Sequence, residues 1–273
     1  MNKKNAILTF YHVNDETNSD ISNERKVIRM MSEGFCIGIV SRSNKLEQLF
    51  QYSFDTNLSF EDKLTAIDEV DKEKNISCSE NIFKLYTKYN VQIPEEFHDR
   101  NANEAVLSLI TDEKEQYIPF EEKVAQWNLY NLSAWEKDLY EQIKIQFPNY
   151  QLATVASSLL NMISRQQQKE NVLVFVENNN FTIAVTDIQK LKGINTFPFN
   201  TEKDFVYYCC SFLRKMFENM SAVSIKLCGN ITCQSPLHNG LSKYFQDVEI
   251  LSSTDENPTS IDNLYACYCD LFE

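Results

Sequence analysis

The sequence predicts an α/β protein of two lobes in tandem, and three observations carry that expectation. Residues 171–251 read in order as three strands, a helix, a strand, a helix and a strand. The first half repeats the core of that order as hairpin, helix, strand and helix. A chain of 273 residues, 43 % of them hydrophobic, has the length and apolar content for two cores of ordinary size.

In chain order, residues 1–32 contain a short apolar segment (Ala6 to Val13), a polar acidic stretch (Asn14 to Glu24) and the apolar run Val27 to Met31. An arm or edge strand is expected there. Phe35 to Val40 (FCIGIV) reads as a buried strand, Arg42 to Lys45 as a turn, and Leu46 to Phe54 as a second strand in which Phe50, Tyr52 and Phe54 alternate. Ser59, with Asp62 three residues later, caps a helix that carries Leu64, Ile67 and Val70 on one face. Ile82 to Tyr89 alternates as an amphipathic strand, with Lys84 and Lys88 on its polar side. Asn101 to Ile110 is a helix, and residues 113–131 are extended with a break at Pro119. Ser133 and Glu136 are placed as the cap of a further helix carrying Trp135, Leu139 and Ile143. Tyr150 to Val155 makes a short strand, and the helix after it runs to about Gln168, where a polar end marks the joint between lobes.

Asn171 to Glu177 (NVLVFVE) and Phe181 to Asp187 (FTIAVTD) form a hairpin across Asn178, Asn179 and Asn180, and a third strand follows from Lys190 to Phe199. Thr201 and Asp204 make a capping box for a helix with Phe205, Cys209, Phe212 and Met216 on one face. Ala222 to Cys228 is a strand ending at Gly229-Asn230, Pro236 to Phe245 a helix, and Val248 to Leu251 the closing strand. Ser260 caps a last helix with Ile261, Leu264, Tyr268 and Leu271 aligned. The lobes divide as residues 1–168 and 169–273.

A formal charge of −13 opposes a nucleic-acid partner, since phosphate binding draws its affinity from Lys and Arg that displace counterions. No apolar run reaches the roughly 20 residues of a membrane helix, and Lys3-Lys4 with the segment after them makes no convincing signal peptide. A cytoplasmic protein is expected, its eight cysteines reduced. Cys36, Cys209 and Cys228 are read as small core hydrophobes. No cysteine pair has zinc-site spacing.

Three strands, helix, strand, helix, strand is the order of a ribonuclease-H-like lobe, and two such lobes in tandem resemble the fold of actin, the sugar kinases and Hsp70. The resemblance implies, in each lobe's first hairpin, a phosphate loop of the form Asp-x-Gly-x-Thr or Asp-x-Gly-Gly-x-Thr. It implies also a Gly-Gly pair against adenosine after a later strand of the second lobe. Here the second-lobe hairpin reads Glu177-Asn178-Asn179-Asn180, with an acid and no glycine. The first-lobe hairpin, taken as Ser41 to Lys45, has neither acid nor glycine, and Gly229-Asn230 keeps one glycine of two. The segment Val91 to Asp99 (VQIPEEFHD), with the ENNNFTIAVTD hairpin, also resembles an uncharacterised bacterial family of unknown function, mostly from the Bacteroidetes.

Other candidate groups are weaker. Glu177, Asp187 and Asp204 would have to converge to make a metal-nuclease site. Glu95, Glu96, His98 and Asp99 form an acid-histidine cluster most simply read as solvated. Tyr86, Tyr117, Trp127, Tyr130, Tyr207 and Tyr208 exceed what one core requires and suggest an interaction surface. The expectation is thus an actin-like arrangement that has lost nucleotide chemistry and serves as a protein-binding or self-associating scaffold, with neither catalytic nor metal-binding residues and no cofactor. Its alternative is a divergent ATP-binding protein or kinase in which Glu177 replaces the usual aspartate. Asn178, Asn179 and Asn180 would then contact the phosphates of ATP with Mg, and Gly229 and Asn230 would flank adenosine.

Overall fold

Alternation between two apolar faces makes Arg25–Met30 (β2) the central strand of the first lobe. Ile28 and Met30 enter one core and Val27 the opposite one. The structure, a computed structural model, describes residues 5–14, 21–55, 58–112, 114–164, 170–187, 190–220, 223–251 and 266–272. β2 pairs antiparallel with Gly34–Val40 (β3), which pairs with Leu46–Phe54 (β4). On its other side β2 runs parallel to Glu80–Leu85 (β5), and β5 runs parallel to Gln151–Thr154 (β9). Ala6–Val13 (β1) adds an antiparallel edge to β4, so the sheet order is β1-β4-β3-β2-β5-β9.

The second sheet repeats this plan without the added edge. Glu170–Glu177 (β10), Asn180–Asp187 (β11) and Lys190–Pro198 (β12) form an antiparallel meander. β10 then runs parallel to Ser224–Gly229 (β13), and β13 to Asp247–Ile250 (β14). The order β12-β11-β10-β13-β14 matches β4-β3-β2-β5-β9 strand for strand. Two ribonuclease-H-like lobes therefore stand in tandem, as the order of elements predicts.

Each sheet has an outer and an inner face. Phe60–Lys74 (α1) and Lys137–Gln146 (α3) cover the first outer face, where Phe35, Ile37, Phe83 and Trp135 are buried. Glu202–Leu213 (α5) and Pro236–Leu241 (α6) cover the second, over Val174, Phe181 and Ile183. Val155–Ser164 (α4) lies on the inner face of the second sheet through Val155, Leu159, Met162 and Ile163. The helical turn 266–268 and the 3-10 turn Cys269–Phe272 pack Tyr268, Leu271 and Phe272 on the inner face of the first sheet. Each inner face is thus covered by a segment that follows the other end of the lobe pair.

Three expectations are corrected. Of residues 1–32, Ala6–Val13 is the edge strand expected, but Val27 to Met30 belongs to the central strand β2, because a bend at Ser32-Glu33 folds the chain back on β3. Ser133 lies inside Leu129–Glu136 (β8), and α3 begins at Lys137 without a side-chain cap. The stretch between β5 and α3 is also more than extended chain: Asn90–Pro94 (β6), β8 and Tyr117–Val124 (β7) form their own antiparallel sheet in the order β6-β8-β7. Asn103–Ile110 (α2) packs on it. The expected caps at Ser59 and Thr201 form, with Asp204 completing the box on α5. The predicted cap at Ser260 and the loop before it lie outside the described residues.

Candidate site between the lobes

The inner faces bring charge into an apolar layer. Arg29 on β2 and Lys84 on β5 are 4 % and 1 % exposed. Between them lies Asp270, fully buried: Arg29 Nη1 donates to its Oδ1, and Lys84 Nζ donates to its main-chain oxygen and to Ser158 Oγ (2.8 Å) on α4. The Arg29 guanidinium also stands 5.8 Å from the Phe175 ring and 5.3 Å from the Tyr268 ring, one from each lobe's side of the layer. Sequence reasoning placed Lys84 on a polar strand side and did not select Arg29 or Asp270. The available signal was an arginine inside the apolar run Val-Ile-Arg-Met.

Above this floor the first hairpins of the two lobes meet. The hairpin equivalent to Glu177–Asn180 in the first lobe is β2-β3, with Met31-Ser32-Glu33-Gly34 at its tip, and not the β3-β4 turn at Ser41 to Lys45. It therefore does hold an acid and a glycine. Glu33 is exposed, however, and Gly34 is required by packing, because a Cβ there would lie 2.1 Å from the Tyr52 main-chain oxygen. Gly229 is likewise fixed by its turn: its φ is +85° and a Cβ would lie 2.1 Å from the Val176 oxygen.

Asn178 spans the gap. Its Nδ2 donates to Ser32 Oγ of the first lobe (3.4 Å), and its Oδ1 accepts from Asn230 Nδ2 (3.0 Å). Cavities of about 420 Å³ and 310 Å³ flank it, and Met31, Glu177 and Asn178 line both. Glu177 ends β10 with its Oε1 buried and without a hydrogen-bond partner in the protein. Burial pushes its carboxyl up to about 7, with Arg29 opposing and Asp270 reinforcing the shift. Glu177, Asn178, Gly229 and Asn230 are thereby brought together, with Asn179 exposed at the hairpin tip and Asn180 lining the smaller cavity.

A triphosphate fits these residues poorly. Asn178 and Asn179 are not among the residues with positive φ, so the hairpin lacks the alternating backbone that turns several N–H groups toward one anion. The one cation lining the larger cavity, Arg29, is committed to Asp270, while Glu33 adds negative charge and Glu177 supplies a buried acid rather than a cation. Each cavity is at the low end of ligand-pocket volumes, about 300–1,000 Å³.

The remaining candidates disperse. Glu177 pairs with Asn180 at one end of the β10-β11 hairpin and Asp187 with Glu170 at the other, seven residues or about 24 Å away at strand rise. Asp204 accepts from the main-chain N–H groups of Asn200 and Thr201, which hold its carboxyl below the usual range. Among the described residues no group of three His, Cys, Asp or Glu could hold a metal. In the acid-histidine stretch Glu95 pairs with Lys123, and His98 pairs with Glu121 (2.9 Å) while stacking on Tyr130. Of the six aromatics, only Tyr207 is exposed: Trp127 donates to the Leu160 oxygen, Tyr208 stacks on Phe197, and Tyr117 meets Tyr89 edge-on. All eight cysteines are free, with Cys36, Cys209 and Cys228 in the core.

The two sheets of common order, the helices exchanged across their inner faces and the cleft between the first hairpins define a protein of the actin-like ATPase fold. Solved structures agree. A Bacteroides thetaiotaomicron protein described as having an actin-like ATPase fold and unknown function matches 92 % of this chain and 96 % of its own at 19 % identity, with a TM-score of 0.75. A chain of the PilM-PilN type IV pilus biogenesis complex matches over 92 % and 97 % at 9 % identity, with a TM-score of 0.64. Residues 14–248 match the profile of the family described as "Protein of unknown function (DUF3822)", and the chain belongs to that family. No curated protein matches the sequence.

Proposed function

We propose that the protein is a non-catalytic binding or scaffold protein that keeps the actin-like frame without its nucleotide chemistry, and that it works in the cytoplasm on a protein partner or on its own copies. The observation that supports this most directly is Asn178, which joins Ser32 and Asn230 across the space where the two hairpins would hold phosphates. Arg29, buried and paired with Asp270, leaves no uncommitted cation in the larger cavity to offset a triphosphate. A binding role suits the frame, since the PilM-PilN complex contains a chain of this architecture in an assembly with another protein. No helix among the described residues is long and apolar enough to cross a membrane.

The test is equilibrium dialysis of the protein against labelled ATP with Mg. The reading expects no saturable binding at millimolar nucleotide. Saturable binding that is lost in Glu177→Ala would replace it with the ATP-binding alternative.

A further inference from the structure

β1 is the edge of the first sheet and pairs, among the described residues, with β4 alone. Its outer side therefore presents a row of main-chain N–H and C=O groups that only another extended chain can satisfy as a ladder. It is also unusually apolar for an exposed strand. Ile7, Leu8, Phe10, Tyr11 and Val13 are 59, 44, 38, 66 and 44 % exposed, which is half of the large hydrophobics exposed among the described residues. They lie on both faces, Ile7 and Phe10 on one and Leu8, Tyr11 and Val13 on the other, the bulge at Thr9 bringing Leu8 and Tyr11 onto the same face.

Natural edge strands are usually guarded by charge, and this one is not. Ala6–Val13 contains no Asp, Glu, Lys or Arg, and the half-buried positions beside it on β4 are Gln48, Gln51 and Ser53. In a chain of net charge −13, copies approaching one another meet their least repulsion along such an edge. The strand is also complementary to itself. An antiparallel pair centred between Thr9 and Phe10 sets Leu8 of each copy opposite Tyr11 of the other and Ala6 opposite Val13, apolar against apolar across a two-fold axis.

We infer that β1 is a self-association edge, where a second copy of this chain adds its own β1 antiparallel and joins the two six-stranded sheets into one. The inference rests on the scaffold reading and names its surface. Two paired strands bury less than the roughly 1,200 Å² of a standard stable interface, so the dimer is weak and concentration-dependent.

Sedimentation velocity over a concentration series tests this. The wild type shifts from monomer to dimer as concentration rises, and Leu8→Lys/Tyr11→Lys, which sets like charges opposite each other, requires at least about tenfold more protein for the same shift. Circular dichroism checks that the variant folds, with Tyr11→Lys alone as the milder substitute. Amide hydrogen exchange of residues 6–13 in the wild type, slowing with concentration, gives a readout that needs no variant. A wild type that stays monomeric throughout, or a dimer indifferent to both variants, overturns the inference. So does a monomer whose edge is instead taken by an extended peptide of another protein. These outcomes leave the scaffold reading standing, which fails separately if ATP binds saturably.

Discussion

Glu177 carries the clearest residue-scale consequence. Its carboxyl is held near 7 in the fold against an ordinary value of 4.5, so the folded state favours the protonated form. The stability this gives is complete below the ordinary carboxyl range and is lost as pH rises through about 7. Wild type should therefore lose roughly 1–3 kcal/mol relative to Glu177→Gln between pH 5 and 8, the range allowing for a residue that is only half-buried overall. Urea unfolding at several pH values measures it, and parallel curves for the two proteins would refute it. The Arg29–Asp270 pair has the opposite chemistry, two charges fixed in a dry layer. Asp270→Ala leaves the guanidinium buried and unpaired and is expected to cost about 3–5 kcal/mol. Replacing both by apolar residues of similar volume should cost far less, as a double-mutant comparison of unfolding midpoints can decide.

Among the elements, those whose periodicity and caps agree were legible: α1 behind Ser59, α5 behind the Thr201–Asp204 box, and the β10-β11 hairpin all lie where spacing puts them. β2 was not, because four apolar-periodic residues with an arginine among them look like an edge until long-range pairing with β5 makes the strand central and the segment 266–272 covers that arginine. Misplacing β2 moved the first phosphate hairpin by one strand connection. The inserted sheet of β6, β7 and β8 escaped notice for a related reason: Pro119 within β7 argues against a strand, yet β7 is an edge, where a proline is tolerated. Gly229 was legible as a glycine but not in its purpose. Its positive φ and contact with Val176 belong to the β13 turn, so Gly229→Ala should destabilise by more than Thr201→Ala, which loses one cap worth about 1 kcal/mol. Equal unfolding midpoints for the two variants would show the glycine to be free for another role.

For the whole molecule, the shared strand order of the two sheets and the inner segments α4 and 266–272 build the frame without using the hairpin-tip residues. The lobes are held by apolar burial and by the Arg29–Asp270–Lys84 cluster, and neither depends on a bound ligand. The scaffold proposal holds that this frame no longer responds to nucleotide. Its most direct test is the melting temperature with and without millimolar Mg-ATP, Mg-GTP and their diphosphates. A ligand at about 100 times its Kd stabilises by roughly 2.7 kcal/mol, which at about 2–4 °C per kcal/mol is a shift of several degrees. No shift is expected with any of the four. A shift of that size that disappears in Glu177→Ala would contradict it and assign the cleft to nucleotide.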